Sequence, residues 1–143
     1  MINQYKRKVA IIGQGFVGLP MSIAVANSLN QKKKCNFHVV GIEKNNHRGK
    51  YLKEEVAMGN LPIKCSDKKI YQMFKNTKKN RNYSISNEIS EIINSKIIIV
   101  SINFEINTKE KDPFYLLKKF FRLVAKLISK NTLIIIETTL PPG

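Results

Sequence analysis

Apolar residues along this chain fall alternately into short unbroken runs and longer, spaced stretches. Val9-Ala-Ile-Ile12 is a run that stops at glycine, the pattern of a strand buried on both faces in a parallel sheet. From Phe16 to about Leu29, residues Val17, Met21, Ile23, Ala24, Val25 and Leu29 suit a buried helix. Pro20 is tolerated there because it lies in the first turn, where its missing N–H costs nothing. A lysine-rich loop, 30–36, leads into a second strand, His38-Val-Val-Gly-Ile42. A polar segment then predicts a helix around Lys50 to Met58, broken by Gly59-Asn-Leu-Pro62. Asp67 is placed to cap a helix running through Ile70, Met73 and Phe74 to about Lys78. Tyr83 to Ser86 reads as a short strand, and Asn87 as the cap of a brief helix carrying Ile89, Ile92 and Ile93. Lys96 to Ile102 is the clearest buried strand. After a charged loop, Asp112-Pro113 starts a helix whose Phe114, Leu117, Phe120, Phe121, Val124 and Ile128 recur at helical spacing as core side chains. Thr132 to Ile136 is the last strand. Strands alternating with helices predict an α/β fold, a doubly wound and mostly parallel sheet with helices on both faces.

Composition sharpens this only in places. With 143 residues, 43% of them hydrophobic, residues 1–143 fit one domain, with no internal repeat and no second domain in the pattern. No apolar stretch approaches the roughly eighteen residues of a membrane span, and the polar, basic first eight residues do not resemble a signal peptide. The expectation is a cytoplasmic protein without a membrane partner. A net charge of +15 raises a nucleic-acid partner, since basic faces are drawn to phosphate backbones. Yet the lysines are scattered over Lys32 to Lys34, Lys68 and Lys69, Lys78 and Lys79, and Lys118 and Lys119, with no aromatic residues interleaved. They read as solvated surface, and nucleic acid is not the expected partner. Cys35 and Cys65 have no Cys or His at metal-ligand spacing, and His38 and His47 do not form a ligand pair. No metal is expected.

The chemistry of the chain lies in Gly13-Gln14-Gly15-Phe16-Val17-Gly18, a G-x-G-x-x-G turn that follows a buried strand and opens a buried helix. That is the context of a Rossmann-type dinucleotide site. Gly13 permits the tight turn, Gly15 lets a pyrophosphate approach the backbone, and Gly18 lets helix and strand pack closely. Free N–H groups at the helix start, aided by its dipole, bind the pyrophosphate. Glu43 stands at the end of the second strand, where such a fold places the acid that bonds the adenosine ribose hydroxyls. A carboxylate there repels a 2′-phosphate and favours NAD over NADP, while Lys44 and Arg48 work against that preference.

These motifs resemble the N-terminal, NAD-binding domain of the UDP-glucose/GDP-mannose dehydrogenase family, especially its UDP-N-acetyl-mannosamine dehydrogenase-like members. Val9 to Pro20 resembles the family's opening, Gly41-Ile-Glu43 its second-strand acid, and Asn60-Leu-Pro-Ile63 the turn after its second helix. Glu137-Thr-Thr-Leu-Pro-Pro-Gly143 resembles its strand-end signature. The resemblance implies that Arg48 also contacts the ribose and that Thr139 lies near the reacting centre in a supporting role. It further implies oxidation of a sugar C6 hydroxyl to the carboxylate in two NAD-dependent steps through a cysteine-bound thioester. The substrate would be a UDP-hexose or UDP-N-acetylhexosamine used in surface-polysaccharide synthesis, and the full-length enzyme a homo-oligomer. Neither Cys35 nor Cys65 matches the family's nucleophile, so the expectation is a fragment without the central and nucleotide-sugar-binding domains, inactive alone. Ser101-Ile-Asn-Phe104 departs from the proline-threonine-proline turn of many members.

The glycine turn by itself also fits another Rossmann NAD-dependent oxidoreductase, such as a hydroxy-acid dehydrogenase. A non-catalytic nucleotide- or nucleic-acid-binding module is the third reading. The closing motif of residues 137–143 argues for the first.

Overall fold

A computed structural model describes residues 7–104 and 112–138. Five parallel strands, β1 (Arg7–Ile12), β2 (Phe37–Ile42), β3 (Tyr83–Ser86), β4 (Ile97–Val100) and β5 (Leu133–Ile136), form one sheet in the order β3-β2-β1-β4-β5. Four α-helices join them: α1 (Gly18–Ala26), α2 (His47–Met58), α3 (Lys68–Asn80) and α4 (Tyr115–Leu127). A 3₁₀ turn, Ile89–Ile92, precedes β4. The expected doubly wound parallel sheet is present.

Alternation along β1 explains the two-sided core. Val9 and Ile11 join Leu19, Ile23, Val56 and Phe74 on the face covered by α1, α2 and α3. Ala10 and Ile12 join Ile92 and Val124 on the opposite face, under the 3₁₀ turn and α4. Successive side chains of a strand point to opposite faces, so a run without polar interruption is what a centrally placed strand requires. β1 pairs Val9 with both Val39 and Ile97, which puts it in the middle of the sheet.

Helix ends follow local chemistry, with small departures from expectation. Helix α2 starts at His47, earlier than the apolar pattern suggests, because the Asn46 side chain accepts from the Gly49 N–H. It stops at Gly59 in the left-handed region. Asp67 caps α3 as expected, accepting from the Lys69 N–H at 2.8 Å. Asn87 does not cap the 3₁₀ turn, where Glu88 holds the capping position. Its amide instead donates to the Glu43 and Lys44 carbonyls, bracing the turn between β2 and α2. β4 ends at Val100, short of the expected Ile102, because the chain leaves the sheet once the Ser101 N–H has bonded the Ile12 carbonyl.

Candidate functional site

Strand order reverses at β1: the chain goes from β1 to β2 on one side and later to β4 on the other. In open α/β sheets this leaves a crevice outside the carboxyl ends of the two diverging strands. The glycine turn lies there. The Gly13 N–H bonds the Ile42 carbonyl at 2.8 Å, tying the turn to the end of β2, and Gly13 itself takes φ +93°. A side chain at Gly13 would meet the Ser101 carbonyl and Ile102, and one at Gly18 would meet the Gly13 carbonyl. Both glycines are demanded by close backbone packing.

Gly15 differs. A Cβ there would meet no atom within 4 Å, so nothing in the protein needs its hydrogen. Its smallness leaves the open side of the turn clear. Among the described residues, the backbone N–H groups of Gly15, Phe16, Val17 and Gly18 have no acceptor. Helix α1 has no side-chain cap and no acidic residue in its first turn to occupy them. Phe16 is 96% exposed and Val17 also projects outward. Unpaired amides at a helix start, beside an exposed apolar rim and a bare Cα, are groups chemically suited to an anion.

Glu43 sits beside it, its side chain only 12% exposed. One carboxylate oxygen accepts from the Gln14 N–H at 2.8 Å and from Arg48 Nη1 at 3.1 Å, and the other from the Lys44 N–H at 3.1 Å. Arg48, on the first turn of α2, also donates from Nη2 to the Gln14 carbonyl at 3.0 Å. So Glu43 is not a solvated strand end, and Arg48 bridges the acid to the glycine turn. Unused lone pairs on Glu43 could accept from a diol.

From the sequence, Gln14 is expected among the cofactor contacts. Its side chain is 1% exposed and turned into the core, away from the open side. Its main-chain N–H and carbonyl are bonded to Glu43 and Arg48. Thr139 lies outside the described residues, as do 140–143 of the closing motif. Its neighbour Thr138 is described: the hydroxyl donates to the Ile102 carbonyl at 2.7 Å, fastening the end of β5 to the loop after β4. In that loop Phe104 packs against Phe120 and Phe121 of α4, with centroids 5.5 and 6.4 Å away. Ser101 to Phe104 is therefore held by the chain's own packing. Cys35 precedes β2 at the amino end of the sheet, bonded by Asn80, and Cys65 lies exposed between α2 and α3. Among the described residues no cluster of His, Cys, Asp and Glu could hold a metal, and no helix is long and apolar enough to cross a membrane.

Open amides, a bare Gly15 and a sheltered acid at the end of β2 fit a dinucleotide. Residues 7–143 match the family described as "UDP-glucose/GDP-mannose dehydrogenase family, NAD binding domain". The chain belongs to the UDP-glucose/GDP-mannose dehydrogenase family. The matched part is the family's NAD-binding domain, and NAD is the cofactor it takes. Of the readings left open by the glycine turn, that match supports the first.

Among curated relatives the chain is similar to Protein CapL of Staphylococcus aureus, 27% identical over 137 residues, covering 96% of this chain and 28% of that protein. It is also similar to the UDP-N-acetyl-D-mannosamine dehydrogenase of Pyrococcus horikoshii, 24% identical over 136 residues, covering 95% and 29%. Among solved structures, the NDP-N-acetyl-D-galactosaminuronic acid dehydrogenase of Methanosarcina mazei superposes with a TM-score of 0.76 at 23% identity, covering 98% of this chain and 29% of that one. The chain spans less than a third of the length of these relatives.

Proposed function

We propose that the turn from Gly13 to Gly18, with Glu43 and Arg48, holds the adenosine diphosphate half of NAD. On this reading the chain is the NAD-binding part of a nucleotide-sugar 6-dehydrogenase. The observation that carries it is the row of free amides from Gly15 to Gly18 over a glycine whose hydrogen no packing requires. The pyrophosphate is bound by those amides and by the positive end of α1. Glu43 accepts from the ribose hydroxyls, and Arg48, fixed to Glu43 and to the Gln14 carbonyl, lies along the same edge. Gln14 serves by shaping the turn, and Phe16 and Val17 form its outer rim. NAD when bound supplies the hydride acceptor.

The proposed substrate of the whole enzyme is a UDP-hexose or UDP-N-acetylhexosamine, oxidised to its uronate for surface-polysaccharide synthesis. Similarity to a UDP-N-acetyl-D-mannosamine dehydrogenase supports the acetylhexosamine. Cys35 faces away from the crevice and Cys65 sits in the exposed α2–α3 loop, so the thiol nucleophile of this reaction comes from outside this chain. The proposal extends to a cytoplasmic homo-oligomer, in keeping with the family resemblance, with Thr139 close to the reacting centre.

Gly15→Val tests the cradle. The branched side chain enters space that the protein leaves empty, so melting temperature should hold while NAD affinity falls at least tenfold, on the order of 1.4 kcal/mol or more. Calorimetric titration with NAD reads the loss. Equal binding by wild type and variant would sink the assignment.

A further inference from the structure

Gln14 occupies a position between two glycines of a turn that faces solvent, yet its side chain is among the most buried in the protein. Its Nε2 donates to the Ile11 carbonyl at 2.9 Å and lies 3.4 Å from the Gly13 carbonyl. Its Oε1 accepts from the Tyr83 hydroxyl at 2.8 Å and from Ser22 at 3.2 Å, while the Ser22 hydroxyl also reaches the Gly18 carbonyl at 2.7 Å. Both amide atoms are therefore satisfied by groups from β1, α1 and β3. Adding the bonds of its N–H to Glu43 and its carbonyl to Arg48, every polar atom of residue 14 is committed inward or sideways. None of them points to the open side.

This arrangement has a cost in sequence that only makes sense if it is used. Gly41 interrupts β2, where glycine weakens a strand. A Cβ at Gly41 would lie 2.5 Å from Gln14 Cδ and 2.6 Å from Oε1, so the strand gives up a side chain to make room for this amide. Tyr83 is buried at the start of β3, and its partner is 69 residues earlier in the chain. A buried amide that lost this donor would keep an oxygen with reduced bonding, an expensive state in a dry interior.

We propose that Gln14 and Tyr83 are positioning residues for the cofactor: the Tyr83 hydroxyl, through the buried Gln14 side chain, holds the glycine turn so that the Gly15–Gly18 amides face the pyrophosphate. The proposal rests on the reading that this turn holds NAD. The side chain of residue 14 is fixed to Ile11, Ser22 and Tyr83, and the next four amides have no acceptor among the described residues. The bond joins β3, an edge strand that does not carry the turn, to the turn itself.

A double-mutant cycle tests it, with Tyr83→Phe, Gln14→Leu and both together in the full chain. Tyr83→Phe removes one hydroxyl and should weaken NAD roughly tenfold, the size of one buried hydrogen bond lost with its partner left behind. In the Gln14→Leu background the same change should cost much less, because no amide oxygen remains to be orphaned and only the contact of Tyr83 with Ser22 is lost. Affinity is read by calorimetry at a temperature where every variant is folded by circular dichroism, which separates positioning from loss of stability. In the cofactor-free chain, amide NMR shifts of Gly13 and Gly15–Gly18 should move in Tyr83→Phe while those of Ile98 and Ile134 stay. Gly41→Ala, which crowds Gln14 from the other side, should reproduce the shift changes if Gln14→Leu does not fold. Unmoved turn amides, or an equal loss of NAD affinity from Tyr83→Phe in both backgrounds, would overturn the proposal. Absence of NAD binding by wild type would instead strike the cofactor reading, and the amide shifts would still report on the Gln14–Tyr83 bond.

Discussion

The centre of the sheet and its β5 edge are packed very differently. On one side of the switch point, β1 and β2 each bury their last four residues, and α1 buries five of its nine. On the other side, β5 buries none of its four residues fully, and α4 buries only Val124 of its thirteen. Leu116 and Leu123 of α4 and Leu133 and Ile136 of β5 are exposed although aliphatic. The centre is clamped by backbone approach, with Gly18 against Gly13 and Gly13 against Ser101. β5 is an edge. Close packing is thus concentrated where the crevice opens, and on the proposed reading a cradle held in place before binding loses less entropy when the anion arrives.

The largest expected effect comes from driving a wedge into the clamped centre. Gly18→Val would place its Cβ on the Gly13 carbonyl, a backbone atom that cannot swing aside, and should destabilise by about 4 kcal/mol or more in urea unfolding. Set beside Gly15→Val, it separates a glycine required by packing from one required by a ligand. Similar losses of stability in the two variants would erase that distinction.

Next comes the contrast in burial. Ile11→Ala, at a position with no exposure, should cost about 2–5 kcal/mol, because the surrounding core collapses only partly onto the space left. Ile136→Ala, at a residue 43% exposed, should cost about 1 kcal/mol or less by the same unfolding measurement. Comparable values would mean that the β5 edge is as tightly held as the centre.

Glu43→Ala acts on binding at the clamped centre. Loss of a charge-assisted bond to the ribose should weaken NAD by about 1–3 kcal/mol and narrow the discrimination against NADP. Calorimetry with both dinucleotides reads the ratio, and an unchanged ratio would confine Glu43 to its bonds within the protein, to Gln14, Lys44 and Arg48.

Protonation supplies the smallest effects, one in each region. Burial first, then the charge of Lys8, holds the His38 imidazole below its ordinary 6.5, against a weaker pull from Glu91. The unfolded chain then binds the proton more readily than the folded one, so stability should decline as pH falls from 6.5 toward the lower folded value. His38→Gln should flatten that slope in a series of melting curves. At α4, the hydrogen bond from Lys118 holds the Asp112 carboxyl below its ordinary value of 3.8. Its contribution is present above 3.8 and lost as pH falls through the lower folded value, so amide exchange in the first turn of α4 should quicken there and hardly change in Asp112→Asn. Asp112 and Lys118 are both exposed, so this is the weaker of the two.

Much of this was legible in the chain. Four-residue aliphatic runs separated by amphipathic stretches determined the parallel α/β architecture, since a strand covered on both faces tolerates no polar alternation. The spacing of Gly13, Gly15 and Gly18 after β1, with Glu43 at the end of β2, located the crevice, and the family match extends over the same span. Caps at Asp67 and Gly59 were visible because they act on backbone only a few residues away.

Tertiary structure decided the rest. Nothing in the local sequence says that Gln14 turns inward, because its partners on Ile11, Ser22 and Tyr83 meet only when three elements pack together. Gly41 inside β2 was the one signal, a strand residue without a side chain, but the atom needing its space is 27 positions away in sequence and adjacent only in the sheet. Arg48 and Glu43 were each visible as charges. Their pairing across the glycine turn, and the clasp of Thr138 on Ile102, arise from where the strand ends converge. Periodicity reports which face of an element is buried, because burial depends on each residue's own hydrophobicity. Which polar groups satisfy one another depends on distances between segments, and those exist only once the chain has folded.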